Sequence, residues 1–549
     1  YTYTTKSGVK VGFFGMETPE TQTKANPALI KGLTFATGDA FTKATADQVA
    51  ALKDADVVIC LAHLGVDAES APYRSTDLYA AVKGIDFIVD GHSHTVMTKG
   101  EKGEPIQSTG TAFANIGVIV IDDASKKIES NSLVEIKEDT AKDATVAAAA
   151  KVIVDRVNNE YGTKFATSKV ELNGAKAPNG NRDSETNNGD LITDAMVWKI
   201  LQDKESLTVD ADHVVAVTNG GGIRKAINPG DVTKKNINEV LPFGNTVVTI
   251  YITGAELLEA LEASTYCTPD AIGGFPQVSG INYTISTAVA YDANAETYPA
   301  STYYGPKSIN RVVINSINGK EFKADDTYAV ITNDFCGGGG DTYYAFAAAT
   351  AKFDTGIPLD EVVMEYITAE LKGVIGKQYA APQGRILMNP FKDVKVSSWF
   401  GKYVIDLYND GIINGTSATT YAPNDTLTWA AALKLLLVSH GDLKAADATG
   451  ADWSKNTIAK AAELGLVAAD LDGAKAISRL EFCQVAAKLN KLAESKTESK
   501  FTDCADGYVM ALVDAKVING MTETTFEPAA SLTRAQIAKI IYQLNLIEK

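Results

Sequence analysis

The sequence predicts a multidomain chain of α/β and α+β lobes that ends in all-α repeats, and three observations carry that expectation. Residues 9–138 alternate apolar strand-like runs with helical stretches, which implies an α/β sheet with at least some parallel pairs. Residues 168–388 hold a second, α+β unit in which glycine-rich turns follow strands. From residue 391 onward the texture changes to short helices with an internal repeat. At 549 residues the chain is too long for one core and should divide into roughly three or four domains.

In the first lobe Lys10–Gly15, Asp56–Ala62, Asp86–Asp90 and Ile116–Asp122 read as strands, with helices at Ala46–Lys53 and Ser75–Lys83. Residues 140–166 are Ala-rich with charges at helical spacing, and predict one long helix. It gives way to Gly, Pro and Asn, so it reads as a connector between domains. Strands follow at Val214–Thr218, Thr246–Ile252, Arg311–Ile314 and Tyr328–Thr332. In the C-terminal part Ile413-Asn414-Gly415 returns as Ile518-Asn519-Gly520, Tyr421-Ala422-Pro423 as Phe526-Glu527-Pro528, and Leu427-Thr428 as Leu532-Thr533, all at an offset of 105 residues. A more degenerate copy lies between, at Leu464–Val467 and Ile477–Ala486. Three copies at a period of about 50 residues mean three stacked helical units, each too small to bury a core alone. The expected boundaries are 1–138, a linker helix at 139–167, 168–389, and 390–549 with repeats at about 391–440, 452–495 and 501–546.

Composition narrows the function. A net charge of −17 argues against a nucleic-acid duplex, which wants a basic stripe, but leaves room for a small phosphorylated ligand held by a local arginine cluster. No apolar run approaches the roughly 20 residues of a membrane span. The five cysteines (Cys60, Cys267, Cys336, Cys483, Cys504) are scattered without a CxxC pair, so they read as isolated thiols. The chain opens on a polar stretch beginning with Tyr1, and a leader and further sequence are expected upstream.

Three of the five histidines fall in one region. His63 follows one apolar run and Asp90-Gly91-His92-Ser93-His94 follows another, so both groups are expected just past strand ends, where open α/β sheets place ligands. In an extended segment His92 and His94 would point the same way and suit Zn²⁺, Mn²⁺ or another first-row metal. A hydrolytic dinuclear centre also needs bridging carboxylates, and Asp90 is the only adjacent acid. In the second lobe Thr218-Asn219-Gly220-Gly221-Gly222-Ile223-Arg224 follows a strand and offers backbone N–H groups and a guanidinium to an anion. Asn333-Asp334-Phe335-Cys336-Gly337-Gly338-Gly339-Gly340-Asp341 follows another, and Pro242-Phe243-Gly244-Asn245 adds a second aromatic. Stacking rings, hydroxyl-accepting acids and arginines together favour a nucleotide-like ligand.

The segments KVGFFGMET, AHLG, DGHSH, RDSETNNGDLITDAM, NGGGIR, LPFGN and NDFCGGGGDTY, in this order over residues 8–389, resemble the 5'-nucleotidase family, which includes UDP-sugar hydrolase and ecto-5'-nucleotidase. The resemblance implies the C-terminal part of a metallophosphoesterase α/β sandwich at 1–138 and a substrate-binding α+β domain at 168–389. It implies two divalent ions, with His63 and His92 as ligands of one and His94 of its neighbour. Arg182 looks like a phosphate-binding arginine, Asn219 and Arg224 like the base- and phosphate-contacting pair, Phe243 and Phe335 like the aromatics that sandwich the base, and Asp341 like the ribose-binding acid. The family rotates its C-terminal domain to deliver substrate to the metals, and the hinge would lie in the connecting helix. Its D-x-H, G-D and G-N-H-[DE] motifs are expected upstream of Tyr1. On that reading the chain is N-terminally truncated, holds no catalytic residue itself, and binds nucleotide better than it cleaves it.

The repeats resemble S-layer homology modules, which attach proteins to pyruvylated secondary cell wall polymers of Gram-positive-type bacteria. Thr533-Arg534-Ala535-Gln536 and Ser478-Arg479-Leu480-Glu481 match the helix start whose arginine contacts the acidic sugar, whereas Thr428-Trp429-Ala430-Ala431 lacks it. Arg479 and Arg534 are thus the candidate wall contacts. Together the two resemblances imply an extracellular, wall-anchored, metal-dependent 5'-nucleotidase. The alternatives are a 2',3'-cyclic nucleotide phosphodiesterase or nucleotide-sugar hydrolase, and a non-catalytic nucleotide-binding wall protein.

Overall fold

Short runs rich in Val, Ile and Phe build the first sheet. In the computed structural model, which describes residues 1–25, 30, 32–290, 309–349, 351–447 and 449–547, its centre is β1 (Lys10–Glu17), β2 (Val57–His63), β3 (Phe87–Asp90) and β4 (Ile106–Thr109). These four strands pair in parallel, and Thr2–Thr4 and Val96–Met97 close the edges antiparallel. Parallel neighbours need crossovers, supplied by α1 (Gly38–Ala51) between β1 and β2 and α2 (Ser75–Ala81) between β2 and β3. Phe14, Phe41, Val58, Cys60, Leu78 and Ile88 fill the core on one face of the sheet. Strands covered on both faces read as unbroken apolar runs, which is why Val57–Ala62 is legible in the sequence.

Three expectations need correction. His63 is the last residue of β2 instead of following it. The helix expected at Ala46–Lys53 begins eight residues earlier, at Gly38. The connector is α3 (Ala144–Tyr161), and it stops short of residue 166. Asp143 caps its start by accepting from the N–H groups of Thr145 and Val146. Beyond Gly162, Lys164–Ser168 is a strand paired with Gly230–Thr233, and Ala166 enters the core of the second lobe. Tertiary burial outweighs helix propensity there. No side chain of α3 is buried.

The second lobe is organised by a five-stranded sheet built from β5 (Val214–Asn219), β6 (Thr246–Thr253), β7 (Pro276–Ser279), β8 (Thr327–Asn333) and β9 (Ala351–Pro358), in the order β7-β5-β8-β6-β9. Only β5 and β8 run parallel, with Val215 opposite Val330. β6 runs antiparallel to β8, with Val247 opposite Asn333. Every residue of β5 is buried. Helix α4 (Asn187–Leu201) packs Leu191, Ile192, Ala195 and Met196 into the same core as Val214, Ala216 and Ile331. The architecture is mixed α/β, as the sequence predicts.

The chain divides into two compact units, one of residues 1–282 and 291–385 and the other of 283–290 and 386–549. The second unit is helical: α5 (Gly401–Asn409), α6 (Trp429–His440), α7 (Trp453–Glu463), α8 (Arg479–Leu489), α9 (Gly507–Asp514) and α10 (Arg534–Asn545). The second helix of each pair starts at the repeated Ser/Thr. Thr428, Ser478 and Thr533 each accept from the N–H three residues on. The next N–H groups cross to another repeat: Trp429 and Ala430 donate to Lys475 and Gly473, Arg479 and Leu480 to Ala530 and Pro528, Arg534 and Ala535 to Asp425 and Pro423. Donors that a helix start leaves without partners are thereby satisfied, and the three repeats close on one another in a ring. Among the described residues no helix is long and apolar enough to cross a membrane. Replacing the cap in Ser478→Ala is expected to cost about 1 kcal/mol, seen as a lowered thermal midpoint of the helical unit.

Candidate nucleotide site

Strand direction gathers the site. Because β5 and β8 are parallel, their C-terminal ends and the loops that follow lie at one edge of the sheet, and the start of antiparallel β6, preceded by Phe243-Gly244-Asn245, lies there too. Asn219 ends β5, and its Nδ2 donates to Asp341 Oδ2 at 2.7 Å. Asn333 ends β8, and its Nδ2 donates to Thr218 Oγ1 at 2.9 Å and Asn219 Oδ1 at 3.0 Å. Asn245 Nδ2 donates to Asp334 Oδ1 at 2.7 Å, tying the β6 turn to the loop after β8. A small cleft between these loops is lined by Thr218, Gly222, Leu241, Phe243, Asn245 and Asn333.

The two glycine runs serve close packing. Gly220–Gly222 forms a single 3-10 turn whose Gly220 and Gly221 N–H groups donate to the carbonyls of Phe275 and Gly273. A Cβ on Gly220 would collide with the Asn181 carbonyl, so the backbone passes where no side chain fits. The second run is partly helical, Asp334–Gly337, capped by Asn333. There Gly340 lies against the Phe335 ring, where a Cβ would overlap it. Asp341 takes the left-handed conformation at φ 53°.

Arg182 sits in a loop that the sheet holds firmly. Its carbonyl accepts from Ile272, while Gln277 of β7 donates to the carbonyls of Asn181 and Ser184 and accepts from Thr186 N–H. Arg224 stacks its guanidinium over Phe243, 5.6 Å from the ring centroid. Phe243 as a residue is 60% exposed. Burial, and then the neighbouring charge of Arg182, lower the pKa of Arg224. Phe335 is half-buried against Gly340 and makes no ring contact with Phe243 among the described residues.

The histidines face this edge only in part. The rings of His63 and His92 lie 5.0 Å apart. His92 and His94 both adopt positive φ, 69° and 56°, so the segment is not extended and the two imidazoles are not displayed as a parallel pair. A Cβ on Gly91 would stand 3.2 Å from His63 Nδ1, so glycine lets the His63 ring lie close against this loop. His94 instead sits among cations: burial first, then Arg224, Arg182 and Lys176, depress its pKa. Lys176 itself donates to Asp67 and to the Ser93 carbonyl, both at 3.0 Å, joining the Arg182 loop to the histidine loop. Asp90 Oδ1 accepts the N–H groups of Leu64, Gly65 and Gly91, while its buried Oδ2 has no hydrogen-bond partner among the described residues. Glu20, which sequence reasoning misses, places Oε2 3.3 Å from His92 Nε2. Among the described residues, no three histidine, cysteine, aspartate or glutamate side chains converge as a metal cluster. His63, His92 and Asp90 supply donors suited to a metal but do not close a site.

In the helical unit both candidate arginines grip a neighbouring repeat. Arg534 donates to the Tyr421 and Asn414 carbonyls at 2.7 and 2.8 Å and lies over the Tyr421 ring. Arg479, buried, donates to the Asn519 carbonyl at 2.6 Å and lies over Phe526. Its Nε–H has no hydrogen-bond partner among the described residues. A groove beside it is lined by Trp399, Arg479, Asn519, Gly520, Met521 and Lys539.

The sequence matches the 5'-nucleotidase C-terminal domain over residues 164–348 and the S-layer homology domain over residues 390–432 and 502–538. It is 32% identical over 402 residues to the trifunctional nucleotide phosphoesterase protein YfkN of Bacillus subtilis, covering 69% of this chain and 24% of that protein. It is 25% identical over 416 residues to the snake venom 5'-nucleotidase of Gloydius brevicauda, covering 69% of this chain and 65% of the relative. The fold is similar to the crystal structure of a 5'-nucleotidase precursor from Thermus thermophilus, with a TM-score of 0.55 and 25% identity, covering 71% of this chain and 74% of that one. The chain thus spans less than two thirds of the length of the Bacillus and snake venom relatives. It is a 5'-nucleotidase-like protein that carries S-layer homology domains.

The close approach at Gly220 makes a test of the site's frame. Gly220→Ala forces the Asn181 carbonyl away and is expected to destabilise the first unit by about 1–3 kcal/mol, read as a lower urea midpoint.

Proposed function

We propose that the edge of the second-lobe sheet binds a nucleoside 5'-phosphate and that the protein hydrolyses nucleotide phosphoesters at the cell surface. The observation that carries this reading is the grouping of Arg182, Arg224 and an exposed Phe243 ring in the lobe that also holds the Asn219–Asp341 pair, with the two arginines near enough to His94 to depress its pKa. Each part has a distinct task. Arg224 and Arg182 neutralise the phosphate, and the guanidinium fork can hold two of its oxygens at once. Phe243 offers its face to a flat base, with Phe335 as the second aromatic. Asp341 accepts from ribose hydroxyls. Lys176 adds a third positive charge and ties the phosphate loop to the histidine loop.

The metal dependence implied by the resemblance would rest on His63 and His92 together and on His94 separately. A bound divalent ion supplies Lewis acidity and an activated water in such enzymes. The name of the Bacillus relative favours breadth, so 2',3'-cyclic nucleotides and nucleotide sugars are substrates to test beside 5'-monophosphates. The S-layer homology repeats, with Arg479 and Lys539 on one groove, suit an acidic, pyruvylated wall polymer.

Calorimetric titration with AMP tests the binding half. Loss of a hydrogen bond to a charged group, about 1.5–3 kcal/mol, predicts roughly 10–100-fold weaker binding for Arg224→Ala. Equal affinity for the variant would reject the site. For the wall, Arg479→Ala is expected to reduce co-sedimentation with purified wall fragments while AMP affinity stays as it was. Undiminished pelleting would count against that groove.

A further inference from the structure

We infer that Asn333 is a positioning residue which fixes the orientation of the Asn219 amide and, through it, the Asp341 carboxylate. The inference rests on the nucleotide-site reading and deepens it, because it names what holds the two residues assigned to base and ribose.

The argument is one of hydrogen-bond polarity. An amide can be turned over, exchanging its donor and acceptor, unless a neighbour of fixed character decides the matter. Here both ends of the chain are fixed. The Cys336 N–H can only donate, and it donates to Asn333 Oδ1 at 2.8 Å. That leaves Asn333 Nδ2 facing β5, where it donates to Thr218 Oγ1 and to Asn219 Oδ1. Asn219 must then present Nδ2 to Asp341, whose carboxylate can only accept. The order Cys336 N–H to Asn333 to Asn219 to Asp341 therefore runs in a single direction. All four residues are buried, so no bulk water stands ready to replace a lost link.

Two consequences follow for recognition. With Oδ1 occupied by Asn333 and one Nδ2 hydrogen spent on Asp341, the capacity left to Asn219 includes the other N–H. It therefore favours an acceptor on the ligand, such as a ring nitrogen or a base carbonyl. Without Asn333, the amide is held by Asp341 alone, its buried Oδ1 is left without that donor, and the Asn219–Asp341 pair is free to shift as a unit from the position the ligand requires. The base and ribose contacts then fail together, while the phosphate contacts of Arg182 and Arg224 do not depend on the relay.

Asn333→Ser is the informative variant. Serine keeps a helix cap for Cys336 but is too short to carry the donor to Asn219. Isothermal titration of the full chain with adenosine, AMP and inorganic phosphate reads the effect. Adenosine and AMP are expected to bind about 3–10-fold more weakly, the loss of one neutral hydrogen bond, with phosphate affinity unchanged. In a double-mutant cycle, Asn333→Ser adds nothing to Asn219→Ala if it acts through that residue. Unaltered adenosine affinity in Asn333→Ser, equal weakening of phosphate, or additive losses in the double variant would each overturn the inference. Asn333→Asp, which keeps the acceptor for Cys336 and removes the donor, serves as the second variant if Asn333→Ser unfolds and is read by the same criteria. If the wild-type chain binds no AMP, or Asn219→Ala leaves AMP affinity intact, the site reading falls and the inference with it. If Asn219→Ala weakens AMP and Asn333→Ser does not, only the inference falls.

Discussion

The parallel pairing of β5 with β8 is the constraint on which the second lobe depends. An antiparallel arrangement would send the NGGGIR and NDFCGGGGD loops to opposite ends of the sheet. Parallel pairing puts Asn219 and Asn333 within hydrogen-bond reach, and the antiparallel neighbour β6 then delivers Phe243 and Asn245 to the same edge. The rest of the site is support for that convergence. Gly220 and Gly340 remove side chains where backbone and ring must pass, and Gln277 holds the Arg182 loop against the edge so formed.

Electrostatics explain how an acidic protein can present the cationic cluster proposed to hold a phosphate. The net charge is −17, yet Lys176, Arg182 and Arg224 act together on His94. Their field is local, since charges beyond about 10 Å are screened at moderate ionic strength. The acidic remainder of the surface does not cancel it. Partial burial of Arg224 strengthens its field at short range and also makes the unliganded guanidinium costly, a penalty that the proposed phosphate would relieve.

How much of this can be read from the residues varies with the kind of information needed. Strands such as Val57–His63 and Val214–Asn219 are visible because a doubly covered strand is an unbroken apolar run. The Gly-rich turns advertise close backbone approaches, though which atoms approach is not local information. The connector's end is hidden because Ala166 is buried by partners far along the chain, and no helical periodicity records that. An extended His92–His94 segment is the simplest expectation, but positive φ at both histidines bends the segment out of that form. Glu20 and Lys176 carry no motif at all, and their roles exist only through neighbours 72 and 109 positions distant. Asn333 lies inside a recognisable motif but is overshadowed there by the more conspicuous Phe335.

The ring of three helical repeats has a bearing on how such a module can be altered. Each seam joins a helix start in one repeat to backbone carbonyls of another, and main-chain groups make the joint whatever side chain stands there. That accounts for the tolerance of Trp429 at a position where the other two copies carry arginine. It also makes the assembly indivisible in a way that a linear stack is not: excising one copy opens two joints at once, with no end repeat able to serve as a lid. Shortening the module by a third should therefore forfeit the whole of it, and domain transplantation has to move all three copies as one block.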